Sequence, residues 1–187
     1  MRASITSRIP SEASDAVGLI IALFVRYPEI ATIVSHPAER TLTLSFAVAS
    51  RIDRTTERAL RDALGEHVRA LLGLGEETAD TLAVAVESDE AMSFVRITRD
   101  ASSFTREELQ VVVAVLADRF GKRLVKSAPV DDDGFDDEAA GDDLVEIAID
   151  ALRDPTQQRS LVGFREEKRV LVYFVKSRKK AKARARS

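Results

Sequence analysis

Cysteine is absent from the chain, which excludes a disulfide framework, thiolate metal sites and thiol catalysis. Tryptophan is absent as well, and with 8 Phe and 2 Tyr the aromatics amount to 5% of residues. That leaves little material for aromatic cages, long base-stacking platforms or a Trp-anchored hot spot. Histidine occurs twice, as His36 and His67. His36 precedes a proline in a turn and His67 has no second histidine or carboxylate at i+4 on its helix face, so zinc lacks a ligand set and no metal or cofactor is expected. The longest apolar run, Ala16 to Val25, has ten residues, about half of the ~20 that span a bilayer. Glu12 and Asp15 precede it and Arg26-Tyr27-Pro28-Glu29 follows without a small-residue cleavage pattern. The run therefore reads as a buried helix rather than a signal peptide, with no membrane partner and a cytoplasmic location expected.

What is present is ordinary globular material. Hydrophobic residues make up 45% and charged residues 32% of 187 positions, with 8 Gly and 5 Pro, enough for an aliphatic core without a staple. The net charge of −3 hides a segregation. Eight acids and no base lie between Asp131 and Asp143, and seven bases and no acid lie between Lys176 and Ser187. The remainder is nearly neutral.

The patterning predicts an α+β fold. Ser11 or Ser14 can cap a helix through Val25, and Pro28 stops it. Ile30–Ser35 and Thr41–Ala49 read as strands joined by His36-Pro37-Ala38-Glu39-Arg40, followed by a helix from Arg54 to Leu72 with Asp53 as cap and Gly73 and Gly75 at its end. The order recurs in Thr81–Val86, Met92–Thr98 and a helix to Phe120, opened by the capping box Thr105-Arg106-Glu107-Glu108 and closed by Gly121. Phe46 and Phe94 alternate in phase with aliphatics and are both expected in the core. An N-terminal helix and two ββα units thus imply a four-stranded antiparallel sheet with helices on one face, over residues 1–128.

Residues 129–143 read as an acidic linker. A third element, 144–176, holds a helix opened by Asp143-Leu144-Val145-Glu146, with Leu144, Ile147, Ala148, Ala151 and Leu152 inward, and a hairpin of Leu161–Phe164 and Val170–Val175 around Arg165–Arg169. It is too small to stand alone and must dock on the main domain or on a second subunit. Residues 177–187 form a disordered basic tail.

Motifs for chemistry are weak. Gly73-Leu74-Gly75 ends a helix instead of opening one, and Gly121-Lys122-Arg123 lacks the rest of a phosphate loop. Asp131-Asp132-Asp133-Gly134-Phe135-Asp136 misplaces the glycine and glutamate of a calcium loop. Val162-Gly163-Phe164 echoes the aromatic strand of an RNA-recognition module without the remainder of its motif or its βαββαβ order. No catalytic residues are identified, and an enzyme is disfavoured. The basic run Lys176, Arg178, Lys179, Lys180, Lys182, Arg184 and Arg186 stands out as a phosphate-contacting segment, although it could also fold back on the acidic linker. The leading expectation is a non-enzymatic binding protein that contacts RNA or a ribonucleoprotein through this run. The alternative is a homodimeric interaction scaffold without nucleic acid, docking through the C-terminal helix and hairpin. A small-molecule protein or enzyme with a pocket between sheet and helices is the third option.

Overall fold

A computed structural model describes residues 11–127, 138–154, 159–166 and 169–175. Among the described residues it is an α+β fold of six antiparallel strands and four α-helices. The elements run α1 Ser11–Arg26, β1 Ile30–His36, β2 Thr41–Val48, α2 Arg54–Leu74, β3 Leu82–Ser88, β4 Ser93–Asp100, α3 Arg106–Phe120, α4 Glu138–Arg153, β5 Ser160–Glu166 and β6 Arg169–Val175. Strand order is β3-β4-β2-β1-β5-β6. The expected four-stranded sheet is therefore corrected to six. The C-terminal hairpin extends the sheet through β5, which pairs antiparallel with β1, with Ile33 opposite Gly163 and Ser35 opposite Leu161.

The period of two decides what each strand buries. Val84, Ile97, Leu44, Ile33, Gly163 and Val172 form one row across the six strands. Its neighbouring rows on the same face hold Val95, Phe46 and Leu42, all at 2% exposure or less. The helices pack on this face. Ile20, Leu23 and Phe24 come from α1, Leu60, Leu64 and Val68 from α2, Leu109, Val112 and Leu116 from α3, and Val145, Ala148 and Ile149 from α4. At about 25 cal/mol per Å² of apolar surface removed from water, this aliphatic layer is the main favourable contribution to folding.

The docking of α4 answers how the small C-terminal element is stabilised. Helix α4 packs along α1, and Arg153 Nε at its end donates to the Phe104 carbonyl in the β4–α3 connection at 2.8 Å. Its inward face is Val145, Ala148, Ile149 and Leu152, while Ile147 is 52% exposed. That corrects the expected face by one residue. The helix begins at Glu138, so Asp143 lies inside it rather than at its cap.

Two glycines have conformational or packing reasons. Gly121 adopts φ 53° and ψ −125° at the end of α3, a positive-φ conformation that favours glycine but not the left-handed helical one expected at this C-cap. Gly163 lies under α1, where an added Cβ would come within 2.8 Å of Ile20 Cγ2 and 2.9 Å of Phe24 Cε2. Gly163→Ala should therefore cost about 1–3 kcal/mol by overpacking, read as a lower urea midpoint with an unchanged slope. An unaltered midpoint would mean that α1 does not rest on β5. At the end of α2 the glycines are not the left-handed residues. The helix continues through Gly73 to Leu74, and Glu76 takes the positive φ of 57°.

Among the described residues no helix is long and apolar enough to cross a membrane.

Candidate nucleic-acid interface

The opposite face of the sheet carries the other half of the alternation, and no described element lies over it. One row runs Ala83, Thr98, Thr43, Val34, Val162 and Tyr173, and the next runs Ala85, Arg96, Ser45, Thr32, Phe164 and Leu171. Its centre is polar: Thr43 and Thr98 share a hydroxyl hydrogen bond of 3.0 Å, and Arg96 pairs with Glu87 across β4 and β3. Its β5–β6 end is apolar. Phe164 and Tyr173 stack there with ring centroids 5.8 Å apart and planes inclined by 17°, and Tyr173 and Val175 are 52% and 46% exposed. Phe94, expected in the core with Phe46, instead points to this open face at 38% exposure, because Ser93 and Val95 take the buried parity of β4.

The seven cations of the basic run, Lys176 to Arg186, lie outside the described residues. In the chain they follow directly on Val175, the last residue of β6. The run is thus attached at the aromatic end of the open face.

A second basic feature escaped the sequence reading because its members are far apart in the chain. Arg51, from the β2–α2 connection, and Arg119 and Arg123, from the end of α3, line a pocket of about 320 Å³ with Ser50, Asp53 and Thr56. Among the described residues none of the three makes an ion pair at contact distance. The α2 end itself is already capped: the Asp53 carboxylate accepts from the Thr56 amide at 2.7 Å. That hydrogen bond is the first cause of a lowered Asp53 pKa, with the charge of Arg119 a smaller one.

Behind β4 lies a buried ionic cluster. Arg99 Nε and Nη2 donate to Glu108 at 2.5 and 2.9 Å. Nη1 donates to Asp100 and to the Thr81 carbonyl, and Nη2 also donates to the Ser103 hydroxyl at 3.0 Å. All five guanidinium hydrogens have an acceptor, the condition under which a buried charge is tolerated. Glu108 therefore does not close the expected capping box. Thr105 Oγ1 accepts from the Glu108 amide at 3.1 Å, but the carboxylate turns inward to Arg99. Burial acts to raise the pKa of Asp100, but hydrogen bonds from Ser103 and the Thr81 amide and the charge of Arg99 outweigh it and hold it low. Burial pushes the Glu108 carboxyl up against the pull of Arg99. The cluster is buried between β4 and α3, with Arg99, Asp100 and Glu108 all at 5% exposure or less.

Two other cavities show what the enzyme option would have to use. His36 lines a pocket of about 250 Å³ with Ser35, Ser102, Arg153 and Asp154. These are the residue types of nucleophile, base and orienter, and among the described residues His36 makes no side-chain hydrogen bond to Ser35 or Ser102. A groove of about 410 Å³ between α2 and α3 is lined by Ala59, Ala63, Val111, Ala114, Val115 and His67. Its histidine is held by the Ala63 carbonyl at 2.7 Å. Among the described residues no three metal-ligating side chains are grouped.

Comparison with protein-family models, with curated proteins and with solved structures finds no match to this chain.

Proposed function

We propose that this chain is a non-enzymatic binding protein for single-stranded RNA, with bases resting on the β5–β6 end of the open sheet face and phosphates held by the basic run. One observation carries the reading: the half-buried ring of Phe164 and the exposed ring of Tyr173 stack on the strand pair that leads directly into Lys176. Single strands are gripped by this combination, because every base has a π-face to stack and every phosphate a charge to neutralise. The pocket of Arg51, Arg119 and Arg123 supplies further phosphate contacts on the folded body.

The test is binding of a fluorescent RNA of about 16 nucleotides, the upper site size for a comparable sheet platform. Phe164→Ala with Tyr173→Ala removes both rings from an exposed face. It should weaken binding by about 1–3 kcal/mol for each base that stacks while leaving the circular dichroism unchanged. Equal affinity in the double variant would remove the sheet face from the proposal. Failure of the full chain to bind RNA in low salt would remove the function.

A further inference from the structure

The two edges of the sheet are finished differently. At β3, helix α2 covers the edge: Arg61 Nε donates to the Val84 carbonyl at 3.2 Å. The open-face side chains of β3 are Ala83, Ala85 and the ion-paired Glu87. These are ordinary means of keeping an edge from pairing.

At β6 none of those means is present. Its register against β5 is regular from Ser160–Val175 to Glu166–Arg169, and Val170-Leu171-Val172-Tyr173-Phe174-Val175 contains neither proline nor charge. The backbone N–H and C=O groups of alternate residues point away from β5, and no described residue outside the hairpin bonds to them. The strand is apolar on both faces. Val170, Val172 and Phe174 reach the core only partly, and Leu171, Tyr173 and Val175 lie on the open face. Such a run suits a strand inside a sheet, with a neighbour on each side.

We infer that the missing neighbour is β6 of a second copy, joined antiparallel about a two-fold axis through Val172, so that two six-stranded sheets become one. Self-complementarity points to this occupant. About that axis Val172 opposes itself, Leu171 opposes Tyr173, Val170 opposes Phe174, and Arg169 opposes Val175, so every central pair is apolar and no like charges meet between Arg169 and Val175. A two-fold contact requires the same patch on both partners, and this strand provides it. The dimer places two open faces side by side. It uses the edge rather than the face, so it stands independently of RNA binding.

The test is sedimentation of the full chain after nucleic acid has been removed by a high-salt wash. The wild type should sediment at twice the chain mass, and raising the salt should not dissociate it, because apolar and backbone contacts are not screened as charges are. L171E/Y173E puts glutamate against glutamate twice across the axis and should give a monomer with wild-type circular dichroism. L171K/Y173E puts lysine against glutamate twice and should restore the dimer. A monomeric wild type overturns the inference. So does a dimer that survives L171E/Y173E, or one that L171K/Y173E fails to restore. Truncation at Val175 should leave the dimer intact, and a monomer there would assign the contact to the basic run instead. RNA affinity enters none of these readings, so its absence would not alter them.

Discussion

Arg99→Ala should destabilise the protein by about 3–5 kcal/mol, the usual cost of removing one member of a buried ion pair. Folded domains hold about 5–15 kcal/mol in all, so the variant should be close to unfolded at 37 °C. Arg99 is 1% exposed and Glu108 is 0% exposed. Without the guanidinium, the Glu108 carboxylate keeps no cationic partner and no route to water. Arg99→Met with Glu108→Leu and Asp100→Asn removes all three charges of the cluster and should recover most of the loss, since apolar or neutral replacements of similar volume are often as stable as a buried ionic cluster. Urea midpoints compare the variants directly. A loss below about 1 kcal/mol for Arg99→Ala would place the pair in solvent, where ion pairs contribute no more than that.

The same cluster predicts how acid acts. Asp100 has a lowered folded-state pKa, so its stabilisation is present above the unfolded value of about 3.9 and is lost as pH falls through the folded value. Asp53 and Asp89, lowered chiefly by backbone amide hydrogen bonds, change in the same direction. Glu108 has a raised pKa and opposes them, losing stability as pH rises through its folded value. Asp100 sets the expected direction for the buried cluster, a decline in the urea midpoint as pH falls below about 4, and Asp100→Asn should make that decline shallower.

Elements with a strong period and defined ends were legible in the sequence. Helix α2 begins where Asp53 predicted, and α3 begins at its Thr105 cap. The second strand keeps its alternation, with Leu42, Leu44, Phe46 and Val48 buried. What sequence could not supply was the pairing of distant strands. Nothing local in Leu161–Phe164 says that it will add to β1, because a hairpin apolar on both faces fits a separate element as well as an extension of the sheet. The same limit misplaced Phe94. In Ser93-Phe94-Val95 the aromatic looks like the core residue, but the Ser93 hydroxyl is needed inside. It receives the Ile52 amide at 2.9 Å and donates to the Ser50 carbonyl at 2.8 Å. Parity then sends Phe94 outward.

Side-chain destinations were the least legible part of the site. Thr105-x-x-Glu108 fits the capping-box pattern, and its hydroxyl behaves so, but a buried Arg99 offers the carboxylate more than an exposed amide does. An arginine in the inward phase of an otherwise aliphatic strand was the available signal for that cluster. Arg51, Arg119 and Arg123 had no such signal, since only the fold brings positions some seventy residues apart around one pocket. The Phe164–Tyr173 pair also depends on register, because it joins residues of two strands on a shared face.

Deleting residues 176–187 should flatten the salt dependence of RNA binding by several units and leave the fold unchanged. A protein that neutralises phosphates of a single strand releases counterions, and its log affinity falls with log salt by about 0.7 per contact. The seven bases from Lys176 to Arg186 therefore set a ceiling near −5 for their share of the slope. The deleted segment contains no large apolar side chain, so the core has nothing to lose with it. A residual slope of about −1 to −2 would remain if the arginine pocket contacts two or three phosphates, and Arg119→Gln with Arg123→Gln should reduce it further. Asp131→Asn, Asp132→Asn and Asp133→Asn should act in the opposite direction, because an anionic segment competes with phosphate for the same lysines and arginines. All of these slopes come from one titration series that begins at ~20 mM salt, where the Debye length is above ~20 Å and attraction is least screened. An intact chain without measurable affinity there would end the RNA reading, while the dimer across β6 would keep its own test.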